Sequence, residues 1–288
     1  MLLSSPRSHL ILQQRGAASM PSKVELYDIA YEDYTSDLYH QIRRETYGND
    51  LGLTSWVSPN ESNQIPTQLK IVEDSNVLEL GCGSGGYAIY VAERTACRIT
   101  GIDLNAQAIR NANRLARVRD MIPQVRFLRH DLTKKLPYDP DTFDAIFAND
   151  VLCHIPNRPI LLSDIFRILK PGGRMLYSDA LVIAGLITQR EIEVRSTIGL
   201  YIFSTPGQNE ALLAAAGFTK IKAIDTTAET ARIATNWFNA RKKHRQALLD
   251  QEGEVDFAKQ QSFLSCAAKL AEEKRMLRYV YLAQKPPA

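Results

Sequence analysis

Asp150 and His154 stand four residues apart, just after the apolar run that ends at Asn149. On one helical turn that spacing puts both side chains on the same face. Histidine is the natural general base near neutral pH, and an aspartate beside it can orient the ring or neutralise a cationic substrate. The same residues also allow a purely structural reading, with Asn149 or Asp150 as a helix cap and His154 packed ahead of Pro156. A second constellation lies upstream. Val77-Leu78-Glu79-Leu80 is apolar but for Glu79 and runs into Gly81-Cys82-Gly83-Ser84-Gly85-Gly86, beyond which a helical pattern starts. Glycine accepts φ > 0 and lets a ligand touch bare backbone, while the free N–H groups of a helix start would face that ligand. The run fits both Gly-x-Gly-x-Gly (81, 83, 85) and the dinucleotide pattern Gly-x-Gly-x-x-Gly (81, 83, 86). Asp103 follows about 20 residues later, where a carboxylate can accept both ribose hydroxyls of an adenosine. Asp131 is placed to accept from an adenine amino group.

Such residues need a frame that gathers strand ends. From residue 76 the pattern alternates strand and helix. Strands are expected at 77–81, 98–103, 125–129, 143–148, 174–179, 220–225 and 278–284, with helices of about 10–15 residues between the early ones. That alternation means right-handed βαβ units and a parallel sheet. The expected fold is α/β, a Rossmann-like, doubly wound, mostly parallel seven-stranded sheet with helical lid insertions. The organisation reads as a disordered tail over 1–24, an N-terminal helical flap over 25–75, a cofactor-binding core over 76–180, a helical lid insertion over 181–203, a core continuation over 204–228, a second helical lid insertion over 229–277, and a last strand and tail over 278–288. The first 24 residues lack Asp and Glu, a composition that a transit segment would share; Met20 offers an alternative start.

Composition sets further bounds. A net charge of +3 is too small to make a polyanion the main partner. The basic run Arg241–Arg245 reads as a solvated helix face, and no Asn/Asp-Pro-Pro-aromatic clamp for a flipped base follows the fourth strand. Cys82, Cys97, Cys153 and Cys266 are scattered without metal-type pairing, which points to a reducing, cytoplasmic setting. No apolar run approaches the ~18 residues of a membrane span.

The glycine run, Asp103, Asp131-Leu132 and Leu169-Lys170-Pro171-Gly172-Gly173 together resemble, in order and spacing, the motifs of class I S-adenosylmethionine-dependent methyltransferases. The resemblance covers residues 70–225. It implies S-adenosylmethionine as cofactor and S-adenosylhomocysteine as product. It also implies that Gly81, Gly83 and Gly85 line the methionine end, Glu79 and Asn149 flank the methionine moiety, Asp103 with Leu104 meets the ribose, and Asp131 with Leu132 the adenine.

A narrower likeness follows. Asn149-Asp150-Val151-Leu152-Cys153-His154 is similar to the Asp-x-x-x-His segment of phosphoethanolamine N-methyltransferases, and Gly48-Asn49-Asp50-Leu51-Gly52 to a stretch in their relatives acting on glycine, sarcosine and dimethylglycine. By that resemblance Tyr34, in the pair Tyr34-Thr35, works with His154 as lid and catalytic latch, and Tyr201 belongs to the substrate site. Lys274–Tyr279 is similar to that family's ending. Gly199 stands where an arginine grips phosphate, Ala180 replaces a tyrosine, and Lys269 fits only with a one-residue shift. A phosphorylated acceptor needs several charge-assisted contacts, so the expected acceptor is unphosphorylated. Tyr27, Tyr34, Trp56 and Tyr201 suit an ammonium by cation–π contact.

The expected activity is methylation of a small-molecule acceptor, first of all N-methylation of a small amine. Catalytic roles fall to His154, Asp150 and Tyr34, substrate contacts to Asp150, Tyr201 and Trp56, and no residue is assigned to a metal. The alternatives are an O- or C-methyltransferase on a natural product, with His154 deprotonating a hydroxyl or an acidic carbon, and a catalytically silent cofactor-binding partner subunit. The expected partner is a small molecule rather than nucleic acid or membrane, with the helical insertions free to close a pocket or to form a homodimer surface.

Overall fold

The computed structural model describes Tyr31, residues 34–197 and residues 199–288; the expected tail over 1–24 and Tyr27 lie outside them. In chain order the elements are α1 (Asp37–Tyr47), α2 (Pro59–Leu69), β1 (Asn76–Leu80), α3 (Gly86–Thr95), β2 (Arg98–Asp103), α4 (Ala106–Val118), β3 (Val125–Arg129), β4 (Phe143–Ala148), a 3-10 turn (Leu152–His154), α5 (Arg158–Ile168), β5 (Leu169–Ile183), α6 (Gln189–Arg195), α7 (Gln208–Ala215), β6 (Thr219–Asp225), α8 (Thr227–Lys243), α9 (Arg245–Glu272) and β7 (Met276–Gln284).

The strands form one sheet in the order β3-β2-β1-β4-β5-β7-β6. Pairing is parallel from β3 through β5, and β7 is antiparallel to both β5 and β6. The chain winds outward from β1 to β3, then returns to β4 on the other side of β1. That reversal opens a crevice beyond the carboxyl ends of β1 and β4, where α/β sheets bind ligands. Period-two alternation divides the strand residues between two faces. Val77, Ile99, Phe127, Ala145, Phe147 and Leu176 pack under α2, α3 and α4. Leu78, Leu80, Ile102, Ile146, Met175 and Tyr177 pack against α5 and α7. Glu79 shares the first face with Val77, and Glu79 is 3 % exposed.

Two expectations change here. The strand expected at 174–179 begins earlier, at Leu169, directly after α5 ends at Ile168, and takes in the Lys170–Gly173 segment. That segment is an irregularity within a strand that already pairs Leu169 with Phe143 and resumes with Arg174 opposite Ala145; Gly172 takes φ +78 to make the excursion. The 181–203 insertion is helical only over Gln189–Arg195, where Thr188 and Glu191 form a reciprocal capping box. Before it β5 runs on to Ile183. After it the chain lies along the sheet, with Ser204 bridged to Val182. The 229–277 region is helical as expected, broken at His244 and again at Gly253, whose φ/ψ of 80 and 167 are non-helical.

The basic run Arg241–Arg245 also departs from a solvated face. Lys242, Lys243 and Arg245 are exposed, but Arg241 is 1 % exposed and ion-paired with Glu252 beneath the helices. No helix among the described residues is long and apolar enough to cross a membrane.

Candidate active site

A cavity of about 670 Å³ opens at the carboxyl ends of β1, β2, β3 and β4. Its floor is the glycine turn. Gly81 and Cys82 both donate backbone N–H groups to the Ile102 carbonyl, at 2.8 and 3.0 Å. Gly81 adopts φ +67, and a Cβ there would come within 2.4 Å of the Val151 side chain. Only glycine meets both demands. Gly85 departs from its expected place in the lining. It sits at the N-cap of α3 with φ +77, where a Cβ would meet Phe127 at 2.6 Å and Ala112 at 2.8 Å. Its smallness serves helix-on-sheet packing rather than ligand contact.

The other residues expected at a cofactor do line this cavity: Glu79, Gly81, Gly83, Asp103, Leu104, Asp131, Leu132 and Asn149. Asp103 accepts from Gly83 N at 2.9 Å and from Asn105 N at 2.8 Å, so one carboxylate fixes both the glycine turn and the entry to α4. Burial pushes its carboxyl above the usual aspartate range, against those backbone donors. Burial also pushes Glu79 well above its ordinary value, and the Asp103 charge adds to that. Neither Oε2 of Glu79 nor either amide atom of Asn149 has a hydrogen-bond partner among the described residues. Asp131 sits at the rim and accepts from Thr133 N and Oγ1 at 2.9 and 2.8 Å. Burial raises its carboxyl, but these bonds outweigh that and hold it below the usual range. A buried and a half-buried carboxyl group and an unpaired amide facing one cavity suit a ligand rich in donors and positive charge.

A second, smaller chamber of about 50 Å³ adjoins the first and shares Thr54, Ser55, Asp150 and His154 with it. Its walls are aromatic. Trp56 stacks on Phe263 with centroids 6.1 Å apart and meets Trp237 edge-on, while Tyr201 stacks on Phe263 at 6.3 Å. Both expected aromatic contacts, Trp56 and Tyr201, therefore line the chamber. Tyr34 lines it too, with its hydroxyl donating to the Gly52 carbonyl at 2.8 Å and the Arg43 guanidinium 4.2 Å above its ring. Burial raises that phenol far above the ordinary tyrosine value.

His154 stands where the two spaces meet. Its Nδ1 lies 2.9 Å from the Leu200 carbonyl. A carbonyl only accepts, so Nδ1 carries the proton and Nε2 the lone pair of the neutral ring. Burial pushes its pKa below the ordinary histidine value, the Leu200 contact partly opposing it. The ring lies 4.7 Å from that of Tyr201.

Asp150 does not share a helical face with His154. It takes φ +56, and the only helical turn that follows is the 3-10 turn Leu152–His154. Its carboxylate is turned the other way and accepts from Arg278 Nε, Ser178 Oγ and the Trp56 backbone, each at 2.9 Å. Arg278 in turn donates to both oxygens of Glu61 at 2.7 and 2.9 Å. Asp150 thus fixes the chamber wall through Trp56.

Arg195 was not legible as a site residue. The guanidinium is 4.3 Å from the Phe263 centroid and 5.8 Å from those of Trp56 and Tyr201, so a buried cation stands among the aromatic faces. An arginine therefore enters the chamber from a position four residues before Gly199 in sequence. Tyr31, at the cofactor-side cavity, and Phe263 are likewise new. The only advance sign for Arg195 was the Thr188-x-x-Glu191 capping box that starts its short helix.

Residues 78–177 match the family model of the methyltransferase domain. This segment is similar to a methyltransferase domain. Its cavity is the one described above, since β1 through β5 fall within or against those residues. Among similar proteins, a methyltransferase of Penicillium fellutanum, phqN, is 31 % identical over 59 % of this chain and 56 % of its own length. Phosphoethanolamine N-methyltransferase 1 of Triticum aestivum is 31 % identical over 66 % of this chain and 37 % of its own. The chain thus spans about half the length, or less, of these two relatives. The solved phosphoethanolamine N-methyltransferase 2 of Haemonchus contortus, in complex with phosphomonomethylethanolamine and S-adenosylhomocysteine, superposes with a TM-score of 0.76 at 21 % identity, over 91 % of this chain and 61 % of that one. In motif and fold the chain resembles class I S-adenosylmethionine-dependent methyltransferases, this group among them. The cofactor that the methyltransferase domain implies is S-adenosylmethionine, and the residues present fit it. The unpaired Glu79 and Asn149 atoms suit a methionyl ammonium and carboxylate, and Asp103 suits ribose hydroxyls.

Proposed function

We propose that the protein is an S-adenosylmethionine-dependent methyltransferase acting on a small molecule, with N-methylation of a small amine as the reading the site supports best. The observation that carries it is the meeting of the 670 Å³ cavity and the small aromatic chamber at His154. Glu79, Asn149 and Asp103 would hold the cofactor, which supplies a sulfonium methyl to an in-line nucleophile. Such a displacement needs positioning and exclusion of water more than acid catalysis. Trp56, Tyr201, Trp237 and Phe263 would supply the dry wall. His154, kept neutral by burial, would take the proton that an amine must shed through Nε2.

Charge supports this choice of acceptor. Asp150 and Glu61 set two carboxylates against the single Arg278 guanidinium, leaving an excess negative charge beside one side of the chamber. Arg195 sets a positive charge on the aromatic side. An acceptor with an ammonium at one end and an anionic group at the other matches both. This adds an anionic end to the ammonium that the aromatic residues suit, because Arg195 already faces the aromatic rings. The test is transfer of labelled methyl to a panel of glycine, sarcosine, dimethylglycine, ethanolamine, phosphoethanolamine and simple phenols. Turnover on amines bearing an anionic group supports the reading. Labelling of phenols alone would replace it with O-methylation, and cofactor binding with no transfer would favour the silent subunit.

A further inference from the structure

Arg158 lines neither cavity, yet it is 4 % exposed and its guanidinium makes four bonds around the base of the site. Nε donates to the Leu152 carbonyl at 2.8 Å and Nη2 to the Ile202 carbonyl at 2.8 Å. Nη1 donates to Asp179 at 2.8 Å and to Asn209 at 3.0 Å. Asp179 is 0 % exposed and is further satisfied by Asn209 Nδ2 at 3.1 Å, Ser204 Oγ at 3.3 Å and Leu181 N at 2.9 Å. The buried charge is therefore fully compensated, the condition under which such a pair persists.

The two carbonyls belong to particular segments. Leu152 opens the 3-10 turn that ends at His154. Ile202 lies two residues beyond Leu200, whose carbonyl receives the His154 Nδ1 proton. The same segments are joined by Ile202 N donating to the Cys153 carbonyl at 2.7 Å. One planar fork thus spans the histidine turn and the irregular segment that carries its acceptor, a geometry that lysine cannot reproduce.

We propose that Arg158 is a positioning residue that sets the tautomer of His154: by holding the Leu152 turn and the Leu200–Ile202 segment together, it keeps the Leu200 carbonyl at Nδ1 and makes Nε2 the basic nitrogen. The functional weight of this rests on His154 being the proton acceptor of the preceding section. The tautomer itself does not, and it is read without any acceptor.

The experiment is long-range proton–nitrogen correlation NMR on the full chain carrying ring-labelled histidine. The sequence holds five histidines, and His154 is assigned by the signals lost in His154→Gln. The wild type is expected to show the Nδ1–H tautomer. Arg158→Lys keeps a charge opposite Asp179 but cannot reach both carbonyls, and it is expected to move His154 to a mixture with, or a majority of, the Nε2–H form that a free histidine side chain prefers in water. Asn209→Ala removes a member of the same network while sparing both carbonyl bonds, and it is expected to leave the wild-type signature. Should Arg158→Lys not fold, the double variant Arg158→Met/Asp179→Leu replaces the buried pair with apolar groups and must show the same shift. An Nε2–H signature in the wild type would overturn the proposal. So would an unchanged His154 in either folded Arg158 variant, or an equal shift in Asn209→Ala. Absence of methyl transfer with these NMR results intact would instead count against the proton-acceptor reading.

Discussion

His154 gains its chemistry from burial and one hydrogen bond. A depressed pKa keeps the ring neutral and basic below the pH at which a free histidine would be protonated. The acid limb of kcat/KM is therefore expected below the ordinary histidine value of about 6.5, measured by a pH–rate profile on whichever acceptor the panel identifies. An acid limb at or above that value would contradict the burial argument. The same shift bears on stability. A histidine whose folded pKa lies below its unfolded one contributes in full above the unfolded value and loses that contribution as pH falls from there through the folded value. Denaturation midpoints should accordingly fall as pH drops through this window, and His154→Gln should flatten the slope. Asp103 makes a second residue-scale prediction. Half-buried Asp103 shapes the glycine turn through Gly83 and Asn105, and a charge-assisted bond from its carboxylate to a ribose hydroxyl would be worth about 1.5–3 kcal/mol. Asp103→Ala should weaken S-adenosylmethionine binding in calorimetry by roughly ten- to a hundredfold, at ~1.4 kcal/mol per decade. Unchanged affinity would remove Asp103 from the cofactor site. Asp150 shows the limit of reading spacing alone. Four residues apart is a helical face only if the backbone is helical, and an aspartate can enter the left-handed region because its short side chain tolerates it. Nothing local in Asn149-Asp150-Val151 announces that turn.

At the scale of elements, the strands at 98–103, 125–129 and 143–148 were legible to the residue, because apolar or β-branched residues mark each one and Asp103, Arg129 or the following Asn149 marks its end. The glycine turn was legible for its composition, but the roles divide. Gly81 faces the cavity while Gly85 serves the α3–sheet contact, and a spacing pattern does not separate the two. Gly81→Ala is expected to abolish detectable cofactor binding, since the left-handed φ and the 2.4 Å approach to Val151 both oppose a Cβ; calorimetry with circular dichroism as a folding control checks it. Retained binding in a folded Gly81→Ala protein would mean that the turn adapts. The 181–203 segment reads as a helical insertion, but only Gln189–Arg195 is helical, behind its Thr188–Glu191 capping box, while the chain before and after is held by β5 to Ile183 and by the Ser204–Val182 bridge. Long-range pairing overrode local propensity there.

Across the whole molecule, the sheet reversal between β1 and β4 fixes where ligands gather, and the N-terminal and C-terminal segments close over that point. Gly52 receives the Tyr34 hydroxyl and lies so near Gly86 that a Cβ would come within 3.1 Å of it. Asn236 of α8 donates to the Thr46 carbonyl of α1, and Arg278 of β7 reaches Glu61 of α2. These closures join residues up to 217 apart in sequence, which is why the chamber, Arg195 and Phe263 could not be assembled from local motifs. Cofactor binding should tighten the assembly as a unit. Saturation at about a hundred times Kd adds ~2.7 kcal/mol to stability, read as a rise in Tm, with no rise expected for Gly81→Ala.

On the proposed function, the cofactor-side cavity and the acceptor chamber are distinct and meet at His154. The most direct test measures S-adenosylmethionine affinity and methyl-transfer turnover on the same preparations of wild type and His154→Ala. Loss of a general base is expected to lower kcat by about 10²–10⁴-fold while leaving Kd within about threefold. Equal losses in turnover and affinity, or turnover that survives the substitution, would contradict it.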